Sequence, residues 1–150
     1  MFSRWVLPRR LSVSTSHLIR SYQNPPLSAG RYVRHISQDT RMKIDKAVAA
    51  APIVLFMKGT PETPQCGFSR AIISMLGQEG VDPRRFVAYN VLDESGLKED
   101  IKDYSEWPTI PQLYMNGEFI GGHDIVMEMH KTGELRKMLL ENENSHTAEK

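Results

Sequence analysis

The sequence predicts an α/β domain: a four-stranded mixed sheet flanked by helices. Three observations carry that expectation. The run Ile53-Val54-Leu55-Phe56-Met57 is too short for a convincing helix, is rich in branched side chains and is stopped by Gly59 and Pro61, so it reads as a buried strand. A helical segment separates it from a second β-rich run, Phe86–Leu92, an order that implies parallel pairing through a right-handed crossover. Asn116-Gly117, between the apolar stretches 112–115 and 118–120, is a strong two-residue hairpin signal.

The chain opens on residues 1–38, which hold six arginines, no lysine and no acid. Arginine- and serine-rich, acid-free sequence is the composition of a mitochondrial transit peptide. The stretch Arg34-His35-Ile36-Ser37 resembles a matrix-protease site, with cleavage after Ile36. From about Thr40 the apolar residues Ile44, Ala47, Val48 and Ala51 fall three and four apart, predicting a short helix that Pro52 ends. After the first strand, a loop with two prolines delivers Cys66 to a helix over about 67–78, whose apolar side is Ala71, Ile72, Ile73, Met75 and Leu76. Gly80 closes that helix, Asp82-Pro83 makes a turn, and the second strand follows. Asp93 or Ser95 is expected to cap the next helix, which runs to about Tyr104 with Leu97 and Ile101 inward. Lys98 and Lys102 share its exposed side, and periodicity alone reads them as a solvated surface among Glu94, Glu99, Asp100 and Asp103.

Trp107-Pro108-Thr109-Ile110-Pro111 cannot be helical, because each proline drives its predecessor toward extended geometry. The hairpin comes next. Gly121-Gly122 then lets the backbone pass close to something, and Asp124 is expected to cap a last helix containing Ile125, Val126, Met129, Leu135 and Leu139, broken at Gly133. Backbone N–H groups around His123 and Asp124 would suit an anion. The resulting division is a leader over 1–38, a domain over 39–141 and a polar, disordered tail over 142–150.

Composition narrows the function. At 150 residues and 17.1 kDa the chain fits one domain with an extension. All 18 acidic residues lie beyond residue 38, against 13 of the 19 lysines and arginines, which leaves the domain with a charge of −5. A mildly acidic domain offers no nucleic-acid footprint, and no apolar run approaches the ~20 residues that cross a bilayer. A single cysteine excludes an intrachain disulfide and argues for a reducing compartment.

That cysteine is the sharpest chemical signal. At a helix's first turn, unpaired N–H groups and the dipole favour a thiolate, and Lys58 adds a cation on the same side. Gly67 leaves room for another molecule's backbone or sulfur. The spacing is that of a Cys-x-x-Cys redox motif whose second cysteine is Ser69, so a mixed disulfide formed by Cys66 cannot be resolved within the motif. The plainer alternative is a buried, inert cysteine acting as a small apolar side chain. Spacing leaves both open.

Three motifs together resemble one family. Cys66-Gly67-Phe68-Ser69 with Lys58 ahead of it, Trp107-Pro108-Thr109-Ile110-Pro111-Gln112, and Gly121-Gly122-His123-Asp124 are similar to the monothiol glutaredoxins, of the mitochondrial single-domain type, over roughly residues 40–141. The resemblance implies a thioredoxin-like fold with Pro111 cis, so that the backbone of Ile110 faces a pocket. It implies glutathione held by Lys58, Lys102, Ile110, His123 and Asp124, with Lys98 beside them, Phe68 walling the pocket and Thr109 supporting Ile110. It further implies a homodimer in which two Cys66 thiolates and two glutathiones bind a [2Fe-2S] cluster. Such a dimer receives the cluster from an iron–sulfur scaffold and passes it to acceptor proteins in the mitochondrial matrix, and the family admits a BolA-like protein as a mixed-dimer partner. One departure stands out: the family commonly has cysteine where this chain has His123, which removes a disulfide partner for Cys66 and sets an imidazole near the cluster. The expected role is a cluster carrier rather than a turnover enzyme. The alternatives are a glutathione-dependent oxidoreductase acting on protein–glutathione mixed disulfides through Cys66, and a structural domain with Cys66 inert.

Overall fold

The computed structural model describes residues 35–147, with side chains to Asn144. The leader expected over 1–38 lies outside these residues as far as position 34. Helix α1 spans Gln38–Val48, and its N-cap Ser37 accepts a hydrogen bond from the Thr40 N–H. Strand β1 (Ile53–Met57) and helix α2 (Gly67–Gln78) follow as expected. A short 3-10 turn at Pro83–Arg85 leads into β2 (Phe86–Asn90) and then α3 (Leu97–Ser105). The hairpin β3 (Gln112–Met115) and β4 (Glu118–Gly121) turns on Asn116 and Gly117, both at positive φ. Helices α4 (His123–Thr132) and α5 (Glu134–Thr147) complete the chain, separated at Gly133.

The sheet is mixed, in the order β2-β1-β3-β4. β1 runs parallel to β2, with Ile53 opposite Phe86 and Met57 opposite Asn90, and antiparallel to β3, with Val54 opposite Tyr114. β1 is buried along its whole length, which is why it reads as an uninterrupted apolar run rather than an alternating one. Its side chains nonetheless divide by parity. Ile53, Leu55 and Met57 pack with Ile72, Leu76, Leu113, Val126 and Leu135 under α2, α4 and α5. Val54 and Phe56 pack with Ile44, Val48, Ile101, Ile110 and Tyr114 under α1 and α3. The central strands are thus clamped from both faces, which fixes the C-terminal end of β1 and the N-terminal end of β3 side by side where the chemistry is expected.

Four expectations need correction. β2 stops at Asn90, not Leu92, because the Asn90 Oδ1 turns back to accept from the Leu92 N–H and the chain enters a turn. α3 is not capped by Asp93 or Ser95: its N-cap is Gly96 at φ +94, whose carbonyl takes the Glu99 and Asp100 N–H groups, and Asp93 is engaged instead by Asn90. α4 is preceded by Gly122, which puts Asp124 inside the first turn rather than at the cap. The tail expected to be disordered from Asn142 is helical as far as Thr147. Asn142 is buried, donates to the Pro52 carbonyl and receives Arg85 on both its backbone and side-chain oxygens, tertiary bonds that no local pattern announces.

Candidate thiol site and binding cleft

The loop between β1 and α2 is a small self-bonded unit. Gln65 N–H donates to the Lys58 carbonyl, Thr60 and Thr63 exchange backbone bonds, and Gly59 pairs with Pro64. Gly59 sits at φ +88, and a Cβ there would lie 2.5 Å from the Thr63 carbonyl oxygen and 2.6 Å from the Gln65 nitrogen. Only glycine fits, so the residue next to Lys58 is fixed by sterics. The loop ends on Cys66, the extended N-cap of α2, half-buried and free.

The thiol is held acidic by its surroundings. Burial pushes the Cys66 pKa up, but the N–H groups of Ser69 and Phe68, the charge of Lys58 and the Ser69 hydroxyl together bring it below the ordinary thiol value. The sequence identifies Ser69 only as a missing second cysteine. In the fold it is fully buried, and its Oγ accepts the Lys58 N–H at 3.2 Å while its hydroxyl serves the Cys66 sulfur. One side chain therefore ties the cation's backbone to the thiol it acidifies.

Beside this loop lies a cleft of about 370 Å³ lined by Lys58, Phe68, Lys98, Lys102, Trp107, Thr109, Ile110, Pro111, Gly122, His123 and Asp124. All six expected binding residues are brought together there. Lys98 and Lys102, which periodicity alone assigns to a solvated surface, line one wall, and among the described residues Lys102 is paired only with the exposed Glu99, at 3.2 Å, a weak tether that a ligand carboxylate can replace. Cys66 itself is not part of the lining; its neighbours Phe68 and Lys58 are. A hollow of similar volume between α1, β2 and α3 is lined by Lys43 and Lys46 from α1 and by Glu94 and Asp100 opposite, and by no residue of the thiol loop, so the chemistry belongs to the first cleft.

The floor presents backbone and dipoles. The Ile110–Pro111 peptide is cis, and neither the N–H nor the C=O of Ile110 is bonded within the described residues. The carbonyls flanking it, of Trp107 and Thr109, are both taken by the amide of the fully buried Gln112. The segment is thus braced from beneath while the Ile110 amide stays available to a ligand. On the far side, the first-turn N–H groups of α4 at His123 and Asp124 have no intrahelical partner. His123 is a wall: its ring packs on Phe68 at 4.9 Å and its Nδ1 bonds the Asp124 carboxylate at 2.8 Å.

Two features of the cleft escape a reading of the sequence. The Trp107 Nε1 is buried without a partner among the described residues. A Cβ on Gly122 would lie 2.8 Å from that nitrogen and one on Gly121 would lie 2.7 Å from the Ile125 side chain, so the paired glycines pass close to the indole and to Ile125. The tandem Gly121-Gly122 was the only signal available, and it did not name its partner.

Comparisons with known proteins agree with this geometry. A family model described as Glutaredoxin matches residues 53–120. The chain is 56% identical over 130 residues to the mitochondrial monothiol glutaredoxin-5 of Lachancea kluyveri, covering 85% of this chain and 89% of that protein. It is 42% identical over 127 residues to the mitochondrial glutaredoxin-related protein 5 of Danio rerio, covering 85% and 81%. Among solved structures it resembles reduced poplar apo GrxS14, with a TM-score of 0.59 and 42% identity over 68% of this chain and 91% of that one. It also resembles a buckwheat glutaredoxin–glutathione complex, with a TM-score of 0.60 and 25% identity over 71% and 96%.

Proposed function

The chain belongs to the monothiol glutaredoxins, and on that footing we propose that it binds glutathione in the lysine-lined cleft and, as a homodimer, carries [2Fe-2S] clusters to acceptor proteins in the mitochondrial matrix. The observation that carries this reading is the isolation of one acidified thiol beside a cationic cleft. A [2Fe-2S] cluster takes four thiolates. With one cysteine per chain, two chains contribute two, and a glutathione on each contributes the others.

Glutathione suits the cleft group by group. Its two carboxylates meet Lys58, Lys98, Lys102 and the first-turn N–H groups of α4, its peptide meets the unbonded N–H and C=O of Ile110, and its sulfur extends past Phe68 toward Cys66. Held by exchangeable contacts, it leaves without unfolding the domain, which suits transfer better than storage. A BolA-like protein taking the place of one subunit is compatible with the same ligand set. The import leader lies within residues 1–38, and cleavage after Ile36 leaves Ser37 to cap α1, a reading supported by the mitochondrial names of the relatives.

A second reading rests on the lowered Cys66 pKa. The Cys66 thiolate attacks the glutathione sulfur of a protein mixed disulfide, forming a Cys66–glutathione disulfide and releasing the protein thiolate. A second glutathione thiolate then attacks that disulfide, freeing Cys66 and leaving as oxidised glutathione. The two readings separate in one experiment. Anaerobic reconstitution with iron, sulfide and glutathione is expected to give a brown dimer with about one glutathione per chain, and Cys66→Ser is expected to stay colourless. A Cys66→Ser protein that keeps its cluster overturns the ligand assignment. Fast turnover of a glutathione mixed disulfide by a wild-type protein that forms no cluster favours the second reading.

A further inference from the structure

Asn90 ends β2 opposite Met57, and its carboxamide is engaged at both its oxygen and its nitrogen. Its Oδ1 accepts the Gly59 N–H at 2.9 Å and the Leu92 N–H at 3.1 Å, and its Nδ2 donates to the Asp93 carboxylate at 2.7 Å. The Gly59 N–H has no other partner among the described residues. Gly59 and Lys58 are adjacent, and the Lys58 N–H is held by Ser69. The base of the thiol loop is therefore anchored twice, from α2 by Ser69 and from β2 by Asn90. The second half of the same carboxamide oxygen holds Leu92, where the chain leaves the sheet toward α3 and its lysines. One side chain spans the two walls that carry Lys58 on one side and Lys98 and Lys102 on the other.

We propose that Asn90 is a positioning residue for this site: it fixes the distance of Lys58 from Cys66 and the spacing of the cleft's cationic walls, without itself touching sulfur or ligand. The physical case is one of geometry. A lysine ammonium on a flexible stem acts at a distance set by its backbone, and Coulomb attraction in a half-buried site falls steeply as that distance grows. Sterics define the Gly59 conformation, but they do not fix the loop against the sheet. The bond from Asn90, across 31 residues of sequence, does that at Gly59, beyond the point where the Met57 carbonyl takes the Val91 N–H. An amide is suited to the task because separate atoms accept the two backbone N–H groups and donate to Asp93, whereas a carboxylate has no proton to donate and a hydroxyl would have to make all three bonds from one oxygen.

The inference rests on the reading of Cys66 as the working thiol, and its test uses neither glutathione nor iron. The rate of Cys66 alkylation by iodoacetamide is measured against pH for the wild-type chain and for Asn90→Ala and Asp93→Ala. The expected result is a profile displaced to higher pH in Asn90→Ala, with alkylation at neutral pH slower by about fivefold, the ratio equivalent to one hydrogen bond. Asp93→Ala keeps both backbone acceptances and is expected to retain the wild-type profile. Coincident profiles for Asn90→Ala and wild type overturn the proposal, as does an equal displacement in Asp93→Ala. If Asn90→Ala does not fold, amide exchange in the wild-type protein decides: the Gly59 N–H is expected to be protected relative to that of Glu62 at the loop tip, and an equally fast Gly59 overturns the proposal. A wild-type Cys66 that alkylates no faster than a free thiol would instead count against the functional reading itself.

Discussion

Replacing Ser69 by alanine removes one oxygen from a fully buried position and breaks two bonds at once. The Lys58 N–H loses its acceptor, and an amide left unsatisfied in this way costs ~1–3 kcal/mol. The Cys66 thiolate loses a hydroxyl donor. A charge-assisted hydrogen bond contributes ~1.5 kcal/mol, the half-exposure of the sulfur reduces that, and losing the donor moves the Cys66 pKa up toward the ordinary thiol value. The thiolate fraction below the pKa then falls about threefold. The Ser69 backbone N–H survives the substitution and is the strongest of the influences lowering the pKa, so the thiol moves only part of the way to its ordinary value. Alkylation rate against pH reads the first effect, and the urea midpoint reads the second. An unmoved pH profile would refute donation by the hydroxyl. A profile displaced all the way to that of a free thiol would refute the leading part given to the backbone.

Two further outcomes follow from the same geometry. Gly122→Ala keeps an ordinary backbone conformation, since Gly122 sits at φ −90, but drives a methyl to 2.8 Å from the Trp107 indole nitrogen. It is expected to lower stability by ~1–3 kcal/mol and to shift the intrinsic tryptophan emission, and an unchanged denaturation midpoint would show that the indole yields freely. The Cys66 pKa also makes stability depend on pH. Because the folded value lies below the unfolded one, the native state sheds its proton first, so this contribution is complete above the unfolded thiol pKa and is lost as pH falls through the folded one. Under reducing conditions, wild-type stability relative to Cys66→Ser is expected to rise with pH across that window. A constant difference would mean that the thiol is not held acidic.

What could be read from the sequence was whatever lay within about ten residues of its cause. The buried run at 53–57, the helix after Cys66, the Asn116-Gly117 turn and the break at Gly133 are all local chemistry, and all stand in the fold. The six residues expected to bind line one cleft, although Lys98 and Lys102, outside the three motifs, are expected there from the family resemblance alone, since periodicity leaves them on a solvated surface. What escaped were long-range bonds. Asn142 looks like the start of a polar tail until Arg85 and Pro52 are seen against it, and Asn90 looks like the end of a strand until Gly59 is. The two misplaced helix starts are local instead: Asp93 has a cap's chemistry but is claimed by Asn90, and Asp124 lies within the first turn of α4, bonded to His123.

The serine of the motif marks more than the absence of a thiol. A cysteine at position 69 would be a weak acceptor for the Lys58 N–H and a weak donor to a neighbouring thiolate, whereas a hydroxyl performs both tasks in a space closed to solvent. The site has therefore exchanged the capacity to resolve its own disulfide for a firmer hold on the cation and the sulfur. On the proposed function, a thiol so held, with no second cysteine in its own chain, keeps a bound glutathione or cluster until another molecule removes it. Retention followed by hand-over to a second molecule is what a carrier requires, and a dithiol that closed on itself would release its cargo without a recipient.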